Sequence, residues 1–185
     1  MLMGYVYLYT GTGAGKTTNA LGLALRSIGH KHRVVIIQFL KWWKNVGEYK
    51  IRNKLKPYYE IYQFGRPAWL GKKKTAFFAG QKFRLENFKE KDKELAKKGL
   101  EFAKNILKEK KPHLLVLDEI NLALHWKLLN VKDVIELLKN LPKRTDVVLT
   151  GRYAPKEIIE RADFVNVIKD VKAPRKFKLT KGIQY

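Results

Sequence analysis

Residues 10–18 read TGTGAGKTT, a glycine-rich turn ending in Gly15-Lys16-Thr17. These residue types point to a polyphosphate. Glycines at 11, 13 and 15 let the backbone approach an anion closely and turn its amides toward it. A helix opening at Lys16 adds the positive end of its dipole. Lys16 brings a mobile charge, and Thr17 a hydroxyl suited to magnesium. The general nucleotide loop reads Gly-x-x-x-x-Gly-Lys-Ser/Thr, and here Thr10 stands at the first glycine. The alternative is a glycine-rich turn without a ligand. The predicted cradle is Thr10, Gly11, Thr12, Gly13, Ala14, Gly15, Lys16, Thr17 and Thr18.

An acid must support the metal. The apolar run HLLVLDE (113–119) ends in Asp118-Glu119. In an open α/β sheet the C-terminal strand ends line the ligand crevice. A carboxylate there holds Mg²⁺ directly or through water. Thr17, Asp118 and Glu119 are therefore the predicted metal set, with the choice between the two acids open. Lys16, Thr17 and Glu119 are the predicted catalytic residues. Gln38 and Asn121 fall at strand ends facing the same crevice, where each is a contact or scaffold. Arg152 adds a guanidinium or forms a structural ion pair.

The surrounding elements decide whether these groups meet. YVYLY (5–9) reads as a buried strand, residues 16–30 as a helix buried on most sides and stopped by Gly29, and RVVIIQF (33–39) as a second strand. Strand, helix, strand implies a parallel crossover. EIYQF (60–64) is a strand and GRPAWLGKKK (65–74) a loop. An amphipathic helix lies around 85–110, with its stripe on Leu95, Ala96, Leu100, Ala103, Ile106 and Leu107. Strands at 113–119, 146–151 and 163–171 alternate with helices at 131–141 and 154–162. This alternation predicts an α/β fold: a single three-layer sandwich over residues 1–185 with a mostly parallel sheet.

Composition narrows the chemistry. The 185 residues hold no cysteine, which excludes disulfides and thiolate catalysis. The four histidines, His30, His32, His113 and His125, lack zinc-site spacing. The N-terminal apolar run is too short to span a membrane and has no basic start or cleavage pattern, so a cytoplasmic location is expected. The formal net charge is +22, of which +13 falls in residues 41–112. One reading is a nucleic-acid surface. The other is a Lys/Glu-rich solvated face, which leaves only weak, non-specific binding of nucleic acid.

The chain resembles the P-loop corrinoid adenosyltransferases, also called cob(I)alamin adenosyltransferases. The matching stretches are TGTGAGKTTNALGLALRSIGH, RVVIIQFLK, LLVLDEINLAL, VVLTGRYAPKEIIERADFVNVI and the closing KGIQY. They run in the family's order over nearly the whole chain, and the family loop shares the Thr at position 10. The resemblance implies a P-loop NTPase (RecA-like) sheet. It also implies transfer of the 5′-deoxyadenosyl group of ATP to the cobalt of a reduced corrinoid, with release of triphosphate. ATP, Mg²⁺ and corrinoid follow as ligands, with an electron-donating reductase and a homodimer as partners. Cob(I) is itself the nucleophile, so no side-chain base is required. The other reading is a P-loop ATPase or nucleic-acid-binding module on the same scaffold.

Several positions depart from the family. Ala14 replaces a common lysine. The histidine-proline before the C-terminal segment is absent from VKAPRKFKLTKGIQY. Of two aromatics expected beside the corrin, Trp69 is present and Pro67 replaces the other. Trp69 is either the corrin face or a core residue folded over the helix at 95–107. The first strand begins almost at residue 1, so the resemblance also implies that an N-terminal cover for a neighbouring active site is lacking.

Overall fold

The computed structural model describes residues 4–71, 74–78, 81–174 and 178–185. Lys72 and Lys73 of the predicted 65–74 loop, and residues 175–177 of the tail, lie outside these. The chain runs β1 (Val6–Thr10), α1 (Lys16–Gly29), β2 (Val34–Phe39), α2 (Gly47–Lys50), β3 (Tyr59–Phe64), β4 (Thr75–Phe78), β5 (Gln81–Arg84), α3 (Glu90–Glu109), β6 (Leu114–Asp118), α4 (Ile120–His125), α5 (Val131–Lys139), β7 (Asp146–Thr150), α6 (Lys156–Arg161) and β8 (Phe164–Val167).

Six strands form one sheet in the order β3-β2-β6-β7-β1-β8, and every pairing is parallel. The central strands β2 and β6 are buried along their whole length, as their unbroken apolar runs require when both faces are covered. Helices α3 to α6 pack on one face around Val35, Ile37, Leu115, Leu117 and Leu149. Ala20 and Ala24 of α1 pack on the other, against Val34, Ile36, Val116 and Val148. These are the three predicted layers.

Four expectations need correction. Helix α1 is buried along one face only: Leu25 is 65% exposed, because an outer layer has a single side toward the sheet. Gly29 ends this helix without a left-handed backbone. Lys31 adopts it instead (φ 58°), its amide donating to the Ile28 carbonyl at 2.8 Å. Helix α3 starts at Glu90 rather than 85, since residues 81–84 pair with 75–78 in an antiparallel hairpin. Asp92 explains the start, as its carboxylate accepts the Lys89 amide at 2.8 Å. It also accepts Arg66 Nε at 2.8 Å, tying the loop after β3 to the helix. The strand predicted over 163–171 ends at Val167, because the chain beyond it turns onto the glycine loop, where the Gly13 amide donates to the Ile168 carbonyl at 2.9 Å. The structure also adds the short helix α4, directly after Asp118-Glu119.

Candidate functional site

The predicted cradle folds as a strand–loop–helix turn. Gly11 and Gly15 take left-handed backbones, with φ 99° and 101°. A Cβ on Gly11 would lie 2.3 Å from the Ile168 carbonyl oxygen, and one on Gly13 2.7 Å from the Asp170 amide. These glycines therefore serve the packing of the loop on the chain after β8 as well as its amides. The amide of Ala14 donates to the Asp170 carboxylate at 3.1 Å, an anion on a group that a phosphate oxygen could take. Thr10 is nearly buried, and its hydroxyl accepts the Ala154 amide at 3.4 Å. Thr12 and Thr18 are exposed. Lys16 is only 7% exposed, and its ammonium donates to the Gly13 carbonyl. Burial, then the Arg152 charge, pushes its pKa below the usual lysine value.

Sheet order brings the acids to this loop. Strand β7 lies between β1 and β6, and its last residue, Thr150, donates to Asp118 Oδ1 at 2.6 Å. Thr17 donates to the same oxygen at 2.8 Å. Asp118 Oδ2 accepts Gln38 Nε2 at 3.0 Å and the Lys41 ammonium at 2.7 Å. Asp118 is fully buried. Burial alone would raise its pKa, but the Lys41 charge and these donors hold it below the usual carboxylate range.

Glu119 is differently placed. Its backbone is left-handed (φ 63°), its amide donates to Thr150 Oγ1 at 3.0 Å, and its buried Oε2 has no partner. Burial, then the Asp118 charge, pushes its carboxyl above the usual range. Of the two acids, Asp118 is the one in contact with the Thr17 hydroxyl.

The remaining candidates divide. Asn121 lies in the first turn of α4 rather than at a strand end; it is wholly buried and donates to the Gly151 carbonyl at 3.2 Å, while its Oδ1 is unpartnered. Arg152 is exposed, yet its charge is felt at both Lys16 and Glu119. Gln38 is wholly buried and passes from Asp118 to Gln63, whose Nε2 donates to Gln38 Oε1 at 2.9 Å. Trp69 is 52% exposed, more than a core residue would be. Its loop leaves β3 at the same sheet edge, and Trp42 Nε1 donates to the neighbouring Ala68 carbonyl at 3.3 Å.

The sequence had assigned nothing to Lys41, although it sits in RVVIIQFLK. The Leu40 turn that places it is not marked by glycine or asparagine. Among the described residues no three His, Cys, Asp or Glu side chains group to hold a metal by themselves. A site built from Thr17, Asp118 and nucleotide oxygens needs no such group.

A glycine-rich loop opening a helix, an acid at the end of a second parallel strand and a third strand between them define a P-loop nucleotide-binding α/β protein. Within that class the chain belongs to the ATP:corrinoid adenosyltransferases, a family of transferases. The family model for ATP:corrinoid adenosyltransferase BtuR/CobO/CobP matches residues 3–185. A corrinoid adenosyltransferase of a Sinorhizobium species is 31% identical over 186 residues, covering 98% of this chain and 80% of that protein. The corrinoid adenosyltransferase of Escherichia coli K12 is 31% identical over 170 residues, covering 91% of this chain and 78% of its own length. Corrinoid adenosyltransferase CobA of Salmonella typhimurium has the same identity and coverage.

Proposed function

We propose that this protein transfers the 5′-deoxyadenosyl group of ATP to the cobalt of a reduced corrinoid, releasing triphosphate. The observation that carries this reading is the contact between Thr17 and Asp118, which closes a polyphosphate crevice in a chain of this family. The electron pair of cob(I) forms the cobalt–carbon bond, and the C5′–oxygen bond breaks with its pair going to the triphosphate. No proton is transferred in that step, so the protein's task is alignment and neutralisation of the leaving group.

The amides of residues 14–18, the Lys16 ammonium and the exposed Arg152 guanidinium would hold the phosphates, while the Gly13 amide is spent on the Ile168 carbonyl. Thr17 and Asp118 fit a magnesium ion, since their oxygens already share one cation, the Lys41 ammonium. Magnesium, when bound, supplies further charge neutralisation to the triphosphate. Glu119, the residue after the metal acid, would place a second carboxyl group beside the crevice, with its buried Oε2 left without a protein partner. Asn121 would support the crevice through Gly151, and Trp69 would present its indole to the corrin. The chain would work as one nucleotide-binding domain, as a cytoplasmic homodimer, with an electron-donating reductase keeping cobalt reduced. Among the described residues, no helix is long and apolar enough to cross a membrane.

The ATPase or nucleic-acid reading finds less support. Several lysines of α3 are matched three residues away by glutamates, in the pairs Lys91–Glu94, Lys93–Glu90 and Lys104–Glu101. That is the pattern of a solvated helix face, which leaves weak, salt-sensitive polyanion binding as the expected remainder. The deciding experiment is anaerobic incubation with ATP, Mg²⁺ and chemically reduced cobalamin. A cobalt–carbon spectrum with triphosphate as product is expected. ADP as product, at a rate raised by DNA or RNA, overturns the reading.

A further inference from the structure

Lys41 enters the crevice through an unusual turn. Leu40, just after β2, has φ 60°, a left-handed backbone that a branched side chain rarely adopts. Its amide donates to the Phe64 carbonyl at 3.0 Å, which holds the turn. Such local strain persists where the surroundings enforce it, and it clusters at functional sites. Its effect here is to return Lys41 over the strand ends. The ammonium then lies 2.7 Å from Asp118 Oδ2 and 3.2 Å from Thr17 Oγ1. It therefore bridges the loop hydroxyl and the strand-end carboxylate, the two groups a divalent ion would share.

An ammonium and a metal ion cannot both occupy this place. Two cations a few ångströms apart repel, and the same oxygen lone pairs cannot serve both. Lys41 has a way out: its side chain is 29% exposed, whereas that of Asp118 is fully covered. A four-carbon stem can swing its charge several ångströms, which a guanidinium fixed in a fork does less readily.

We propose that Lys41 is the resident cation of the nucleotide-free site, displaced from the Thr17–Asp118 position by the incoming divalent ion and passed to the polyphosphate, whose negative charge increases as it leaves. The exchange keeps the buried Asp118 compensated at every stage, since an unpaired buried carboxylate is strongly destabilising. The identity of the polyphosphate as a leaving triphosphate rests on the adenosyl-transfer reading. The exchange of cations does not.

The test uses the full chain without corrinoid, so failure of the transfer reading leaves it intact. Lys41→Met removes the charge and keeps an apolar stem, and Lys41→Arg keeps the charge. Thermal unfolding of each is followed against Mg²⁺ in the absence of nucleotide, and Mn²⁺ affinity is read by electron paramagnetic resonance. Lys41→Met should unfold at a lower temperature than wild type and recover as Mg²⁺ is added. It should bind Mn²⁺ roughly tenfold tighter than wild type, the order expected for removing one competing charge. Its affinity for inorganic triphosphate with Mg²⁺ should fall. Lys41→Arg should show neither rescue nor tighter Mn²⁺ binding.

A purely structural ion pair predicts destabilisation without rescue, and that result overturns the proposal. So does triphosphate affinity unchanged in Lys41→Met. If Lys41→Met does not fold, the wild-type protein still decides. Modification of Lys41 by an amine-reactive ester, read by mass spectrometry, should rise at saturating Mn²⁺ without nucleotide. No rise overturns the proposal.

Discussion

Thr17 and Asp118 lie 101 positions apart in the chain, and the hydroxyl of one donates to the carboxylate of the other at 2.8 Å. The first opens α1 and the second closes β6, with β7 between their strands. A parallel sheet places all its strand C-termini at one edge, so the contact follows from strand order rather than from proximity in sequence. It also separates the two acids. Asp118 is saturated with donors and compensated by Lys41, while Glu119 retains a buried oxygen without a partner.

Asp118→Asn should therefore be far more damaging than Glu119→Gln. It leaves the Lys41 ammonium without its counter-charge and places an amide among donors. Because Lys41 can turn to solvent, the cost is chiefly that of a buried amide set among donors, about 1–3 kcal/mol, so the variant should unfold in less urea. Its magnesium requirement should rise, while that of Glu119→Gln changes little. Equal shifts in the two requirements would count against the assignment of the metal to Asp118.

Lys16→Ala should lower turnover about a hundredfold or more, the scale for removing one preorganised charge-stabilising group. The fold should survive the change. Lys16 is buried rather than exposed, and desolvation already disfavours its charge. Removing a poorly compensated ammonium therefore costs little. Circular dichroism and thermal unfolding near wild type, with turnover lost at saturating ATP, is the expected pair of results.

Trp69→Ala should raise the corrinoid KM and leave ATP affinity nearly unchanged. Because the indole is half exposed, its removal should barely move the unfolding temperature. A Trp69→Ala protein with unaltered corrinoid KM moves the corrin face elsewhere.

His113 gives the fold an acid sensitivity. Its ring stacks on His32 at 4.1 Å. Burial, then the His32 charge, depresses its pKa below the ordinary 6.5. The unfolded chain thus takes up the proton first as pH falls, and the folded state loses stability below about pH 6.5. Above that value neither state carries the proton, and the contribution is flat. The unfolding temperature of the wild type should drop between pH 7 and pH 5.5 more steeply than that of His113→Gln. Parallel curves would show that the stack is electrostatically silent.

The sequence by itself determined the strand–loop–helix cradle, the parallel layers and the acid pair at the end of β6. Each is local: glycine and lysine spacing, apolar period and a run ending in two carboxylates suffice. Its resemblance to a family supplied the chemistry, which no spacing could. Tertiary structure decided what depends on neighbours distant in the chain. The exposure of Leu25 and Trp69 follows from which helix face meets the sheet. The clustering of His32 with His113 comes from the pairing of β2 with β6, which sets the residues before the two strands side by side. The separate environments of Asp118 and Glu119 come from the insertion of β7 and from a reversal of the backbone at residue 119. The place of Lys41 required a left-handed Leu40, a conformation that leucine's own preference argues against and that only packing of β2 on β3 enforces.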